Sequence, residues 1–147
     1  MNKQKINESM LAEIILVIII TLTGELIVAL PLALAMGFNP VFALFLILII
    51  NIIPAYPIFK LFEKIYKKEN RVVKFFIKRG EYLKSKAKRG LDFAIIIFTP
   101  IVGVYATSLF LALIKFPTRK GIVLQTLSLL VYGLIIILGY YFLNILF

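Results

Sequence analysis

The chain of 147 residues is predicted to be an all-α membrane protein: an inverted repeat of a re-entrant helical hairpin plus a transmembrane helix, with an amphipathic basic linker helix between the halves. Three observations predict this. Hydrophobic residues make up 62% and charged residues 16% of the chain, whereas a water-soluble domain is about half apolar. Three long apolar runs divide the sequence, and helix-breaking residues recur at matching places in two of them. The length fits a single integral membrane domain.

The elements follow in order. Residues 10–59 are interrupted by charge only at Glu13 and Glu25, and at about 20 residues per crossing this run exceeds two spans. It divides into 10–37, a hairpin or a broken helix, and 40–59, a transmembrane helix that Pro54 and Pro57 should bend or end near the cytoplasm. The run is too long for a signal-peptide core and no polar mature domain follows it, so the N-terminus should be retained.

Residues 60–90 carry twelve Lys and Arg against Glu63, Glu69 and Glu81. A basic cluster beside apolar runs marks the cytoplasmic side, facing anionic lipid, rather than nucleic acid. Ile58, Phe62, Ile65, Val72 and Phe76 are spaced for one face of an interfacial helix, interrupted near Asn70 and Gly80. Residues 91–114 form the second apolar run, and Lys115, Arg119 and Lys120 follow it. A single crossing would put those cations opposite the basic linker, against the positive-inside bias, so a re-entrant hairpin is the better reading. Its arms, Phe93 to Phe98 and Val104 to Ile114, are about 9 and 16 Å long and reach mid-membrane only. Pro100 and Gly103 supply the turn. Residues 121–147 carry no formally charged side chain and are long enough to cross once. Lys3 and Lys5 suggest a cytoplasmic N-terminus whereas a first hairpin places it outside, so its side stays open.

The two halves share a pattern. Setting Leu34–Pro40 over Leu111–Pro117 aligns Leu34 with Leu111, Ala35 with Ala112 and Pro40 with Pro117, an offset of 77 that places Thr23, Gly24 and Glu25 over Pro100, Ile101 and Val102. A hairpin plus one crossing in each half makes the halves inverted, as in many secondary transporters, whose broken helices bind near the midplane. Ala29, Ala33 and Gly37, like Ser108 and Ala112, repeat every fourth position and let backbones approach closely.

With no Cys, His or Trp, the chain lacks disulfides, thiol nucleophiles, histidine triads and ordinary zinc ligands. No enzyme, metal or cofactor is expected. Glu25 is the most informative residue, because an ionised acid at mid-bilayer costs about 2.5–3.5 kcal/mol and marks function by default. It can take up a proton to shed its charge, or cap the helical arm that begins at Leu26. Gly24, Asn51, Thr99, Pro100, Gly103, Tyr105 and Gln125 are the candidates to share a proton or substrate pathway with it. Asn51 and Gln125 stand out as large amides inside long crossings, each needing several partners. Thr107, Ser108, Thr126 and Ser128 read as hydrogen bonds within or between helices. Glu13 and Asp92 read as interfacial or capping residues. Lys115, Arg119 and Lys120 are the candidates for headgroup or anion contact.

The segment from Gly24 to Pro57, with Glu25, Pro31, Gly37, Pro40, Asn51, Pro54 and Pro57, resembles the opening block of the small multidrug export protein family. The segment from Phe98 to Tyr141 resembles its second block and, more distantly, the DedA or SNARE-associated membrane superfamily. The likeness spans roughly residues 23–141. DedA-like proteins carry a Pro-Gly-Glu turn and an Arg-Phe-x-Pro-Gly-x-Arg turn at two re-entrant tips. Here Gly24 and Glu25 match the first, while Ile97 and Gly103 stand at the arginine positions of the second. The resemblance implies a multi-pass transporter of the cell membrane, a proton-coupled exporter of small molecules, or a translocase of phospholipid or lipid-linked phosphate. A non-transporting scaffold whose basic linker docks a partner is the reading from another class. Membrane lipids, a small-molecule or lipid substrate and a proton are the expected partners, nucleic acid is not, and so small a transporter is compatible with a homodimer.

Overall fold

Helix-breaking residues set the element boundaries of the computed structural model, which describes residues 3–67, 75, 78, 82, 85 and 90–146, with the side chains of 3–9, 23 and 24 excepted. Among the described residues lie α1 (Lys3–Ala35), α2 (Pro40–Ile52), α3 (Ala55–Tyr66), α4 (Leu91–Val102), α5 (Val104–Leu113) and α6 (Thr118–Leu146), and no strand. Phe75, Lys78, Tyr82 and Ser85 are helical as well. The remainder of the expected linker helix beyond Lys67 lies outside the described residues.

Each boundary has a local cause. The arm of α1 that ends at Ala35 closes in a six-residue motif: Gly37 takes φ 82°, the Phe38 N–H donates to Ala33 O and the Gly37 N–H donates to Leu34 O, both at 3.0 Å. These bonds satisfy carbonyls that the helix end would otherwise leave open. Asn39 then caps α2, its Oδ1 accepting the N–H of Val41 at 3.0 Å and of Phe42 at 3.2 Å, with Pro40 in the first helical position. Ile52 ends α2 and Pro54 sits immediately before α3, so the proline pair breaks the helix where the sequence places the break.

The second half uses the same devices. Lys115 has φ 53°, the Phe116 N–H donates to Leu111 O at 2.9 Å and the Lys115 N–H to Ala112 O at 3.0 Å. Every one of these residues lies 78 positions after its counterpart. The correspondence extends backward. Glu25 interrupts α1 at φ 54°, ψ −164°, and Gly103 separates α4 from α5 at φ 100°, ψ 152°. Thr21 donates to Val17 O and Thr99 to Ile95 O, each at 2.6 Å. Burial repeats too: Leu26, Leu30, Ala33, Ile47 and Asn51 are buried, and so are Val104, Ser108, Leu111, Gln125 and Leu129.

The offset is therefore 78, one more than the sequence alignment gives. Leu, Ala and Pro matches are easily found by chance in so apolar a chain, whereas a helix break is fixed by dihedral angles that a non-glycine residue does not announce. The hairpin reading of 91–114 needs a smaller correction. Pro100 lies inside α4, and Gly103 alone makes the turn. The arms are α4 and α5, which fold back on each other: Leu91 at the start of one and Phe110 near the end of the other line a single cavity of about 300 Å³.

Two compact units result. One joins Met1–Asn51 to Leu130–Phe147. In it the Tyr140 hydroxyl donates to Leu34 O at 3.3 Å, and Gly133 of α6 faces Leu44 of α2, with a cavity of about 400 Å³ beside them. The other is Ile52–Leu129, where Phe59, Ile95, Leu111, Ala112, Ile114 and Phe116 form the core and Gly121 packs under the Phe59 ring. Pro40–Tyr66 (27 residues) and Thr118–Leu146 (29 residues) are long and apolar enough to cross a membrane. Large apolar side chains also lie outward, Ile145 at 82% and Leu138 at 68% exposure, a surface suited to lipid and a liability in water.

A methyl group added at Gly133 would lie 2.3 Å from Leu44 Cδ1, while one at Gly139 meets nothing within 4 Å. Gly133→Ala should therefore destabilise the protein by about 1–3 kcal/mol through overpacking. Gly139→Ala should be neutral or raise the melting temperature through helix propensity. Thermal unfolding of both variants in the same detergent checks the pair.

Candidate functional site

The break in unit Ile52–Leu129 is held by polar side chains aimed at its backbone. Pro100 has no N–H, so the carbonyl four residues earlier, Ile96 O, lacks its helical donor. The buried Ser128 hydroxyl of α6 donates to that carbonyl instead. One residue away, Thr99 donates to Ile95 O, and past the turn the fully buried Gln125 reaches the first turn of α5. Its Nε2 donates to Val104 O at 3.4 Å and to Ser108 Oγ at 3.1 Å, and Ser108 Oγ donates back to Oε1 at 3.1 Å. Tyr105 stands half-buried at the same turn. Thr99, Pro100, Gly103 and Gln125, read in the sequence as one group, do collect around this break. The arrangement is neutral and supplies hydrogen-bonding groups inside an apolar bundle.

The break in the other unit is built oppositely. Glu25 is its residue, half-buried, at the start of the helical arm that runs to Ala35. The positions matching Val104, Ser108 and Gln125 are Leu26, Leu30 and Ile47, all fully buried. One break thus carries a carboxyl group where the other carries a glycine, and the positions that are polar past Gly103 are apolar in the first half. Gly24 precedes Glu25 within α1 and is not where the backbone departs from the helix; Glu25 is.

Asn51 is fully buried in α2, and its Nδ2 donates to Ile47 O at 3.0 Å. Its Oδ1 has no hydrogen-bond partner. Turning the amide over would set that oxygen against the Ile47 carbonyl, so the orientation is determined by chemistry. A buried acceptor left without a donor costs about 1–3 kcal/mol, and among the described buried side chains it is the atom that asks for an incoming N–H or O–H.

The three cations after the hairpin separate. Lys120 pairs with Asp92 at 2.6 Å and lies over the Phe116 ring, which ties the start of α4 to the start of α6. Lys115 turns the other way, its Nζ 5.4 Å from the centre of the Tyr66 ring. Arg119 is exposed and close enough to Lys60 to oppose its charge. They part because Lys115 is in the left-handed turn while the other two are already on α6. Among the described residues no group of three acidic side chains is placed to hold a metal ion.

Sequence reasoning read Ser128 as a hydrogen-bonding residue without naming its acceptor, and missed Thr21 and the tyrosines that bond the turns. Thr21 was findable: in the register of 78, Ile18, Ile19 and Thr21 fall on Ile96, Ile97 and Thr99.

Residues 25–135 match the family model described as Putative small multi-drug export protein. The chain belongs to that family. No curated protein and no solved structure matches it. The matched region begins at Glu25 and takes in both hairpin arms, Gln125 and the larger part of α6, so the family region contains every polar group described at the second break. Family and helices together make this a membrane protein.

The amide and hydroxyl of the second break depend on each other. Ser108→Ala should cost about 1–3 kcal/mol by leaving Gln125 short of partners in a dry site. Adding Gln125→Ile, the residue of the matching position Ile47, should recover part of that loss. A double-mutant cycle on thermal unfolding measures the coupling.

Proposed function

We propose that this protein is a small multi-pass transporter of the cell membrane that exports small molecules and takes up and releases a proton at Glu25. The observation that carries the reading is the backbone of Glu25. A non-glycine residue at φ 54°, ψ −164° lies beside a region occupied almost only by glycine, at a cost of order 1–3 kcal/mol. The matching break carries Gly103, so the fold accepts glycine at this point. A carboxylate kept where glycine would relieve strain, in an apolar segment, is there for its charge.

The architecture we assign is re-entrant and inverted. The offset of 78 supports two copies of one unit, and a hairpin that enters and returns followed by one crossing reverses orientation between copies. In this reading the dipole of the arm from Leu26 favours the ionised carboxylate, and loss of contact with water favours the protonated one. A movement that opens and closes the break to water would then exchange the proton. Asn51 Oδ1 offers an acceptor for the carboxylic acid or a donor group of the solute, and Gln125, Ser108 and Thr99 keep the other break formed while its surroundings move.

Proteoliposomes loaded with a pH gradient and ethidium as the transported cation test this. The wild type should move ethidium in response to the gradient, and Glu25→Gln should fall to the level of empty liposomes. Glu25→Gly, which copies Gly103, should be equally inactive yet melt no lower than the wild type. Transport by Glu25→Gln at the wild-type rate would reject the coupling role, and absence of transport by the wild type would reject this class of solute.

A further inference from the structure

The start of α6 and the end of α3 enclose a cavity of about 450 Å³, all of it within unit Ile52–Leu129. Its floor is apolar, from Phe62, Phe116 and Ala112, and its rim carries Lys67 and Lys115. One carboxylate, Glu63, also lines it, and both of that group's oxygens are engaged: Oε2 by Lys60 at 2.7 Å and Oε1 by the Thr118 hydroxyl at 2.9 Å. The carboxylate is therefore neutralised where it stands, neither repelling an anion strongly nor offering itself to an ammonium group.

Lys115 is the informative residue. It occupies the left-handed position of the turn that closes α5, with φ 53°. That position selects glycine, because a Cβ there crowds the backbone. The matching turn of the first half has Gly37 at φ 82°. The turn works with glycine, and a lysine is present all the same. Its ammonium is directed over the Tyr66 ring at 5.4 Å, and the Tyr66 hydroxyl is itself fixed by Ala112 O and Leu113 O, each at 2.9 Å. The chain thus tolerates strain to hold one cation at the rim of an apolar cavity.

We infer that this cavity is a binding site for an anionic phospholipid, its phosphate meeting Lys115 and Lys67 and its glycerol and upper acyl chain covering Phe62 and Phe116. Charge complementarity selects the occupant: the rim is cationic, the only carboxylate among the cavity's described lining is already paired, and the floor is apolar. The inference rests on the reading of the chain as membrane-embedded and is independent of proton exchange at Glu25.

Native mass spectrometry of the full-length protein, equilibrated with equal amounts of phosphatidylglycerol and phosphatidylcholine in mixed micelles, tests it. The wild type should retain phosphatidylglycerol preferentially. Lys115→Gly should lose that preference by about fivefold, the effect of one cation near an anionic headgroup, while melting at or above the wild-type temperature because the turn is relieved. Lys115→Asn, which also accepts a left-handed φ, should behave like the glycine variant, and Lys67→Gln should weaken retention further. Glu25→Gln should retain lipid as the wild type does, whatever its transport. Equal retention of the two lipids, or full retention by the Lys115 variants, would overturn the site. Displacement of phosphatidylglycerol by millimolar inorganic phosphate would overturn the lipid as occupant in favour of a free anion.

Discussion

Backbone groups out of water must find partners inside the protein, and the architecture follows from how that requirement is met where helices stop. An unbroken helix satisfies itself. Four interruptions among the described residues are each matched by a side-chain donor or acceptor: Ser128 for the carbonyl that Pro100 leaves without a partner, Asn39 for the first amides of α2, Tyr66 for the end of α5, Tyr140 for the end of the first-half arm. These bonds explain why proline is tolerated inside α4.

Much of this was legible in the sequence, and the rest was hidden for identifiable reasons. The apolar runs, the proline break before α3 and the fold-back of 91–114 follow from composition, from proline and glycine chemistry and from the placement of charge. The correspondence between matching helix breaks was read one residue short, because leucines and alanines align at many offsets. What fixes it is a pair of dihedral conformations, and at Glu25 and Lys115 the side chain gives no sign of them. Gln125 was recognised as needing partners, yet which hydroxyl would meet it depended on the turn at Gly103. Lys115, Arg119 and Lys120 looked like one cluster because they are close in sequence. A left-handed residue followed by a helix start sends them in different directions.

Comparison of the halves isolates where they differ. At two matched turns one copy has glycine and the other a charged residue: Gly103 against Glu25, and Gly37 against Lys115. Glycine is the residue the backbone favours at such dihedral angles. The glycine copies show the geometry with nothing added, and the charged copies show what has been placed upon it. The matched neighbours differ too, since leucine and isoleucine stand in the first half where the second has an amide and a hydroxyl.

The tyrosine bonds have a further meaning for how the chain matures. Leu34 takes its hydroxyl from Tyr140, 106 residues later, and Ala112 takes its own from Tyr66, 46 residues earlier. The unit that begins the chain is completed by residues that end it. The contacts of α1 and α2 within that unit are completed only when the second half of α6 is in place.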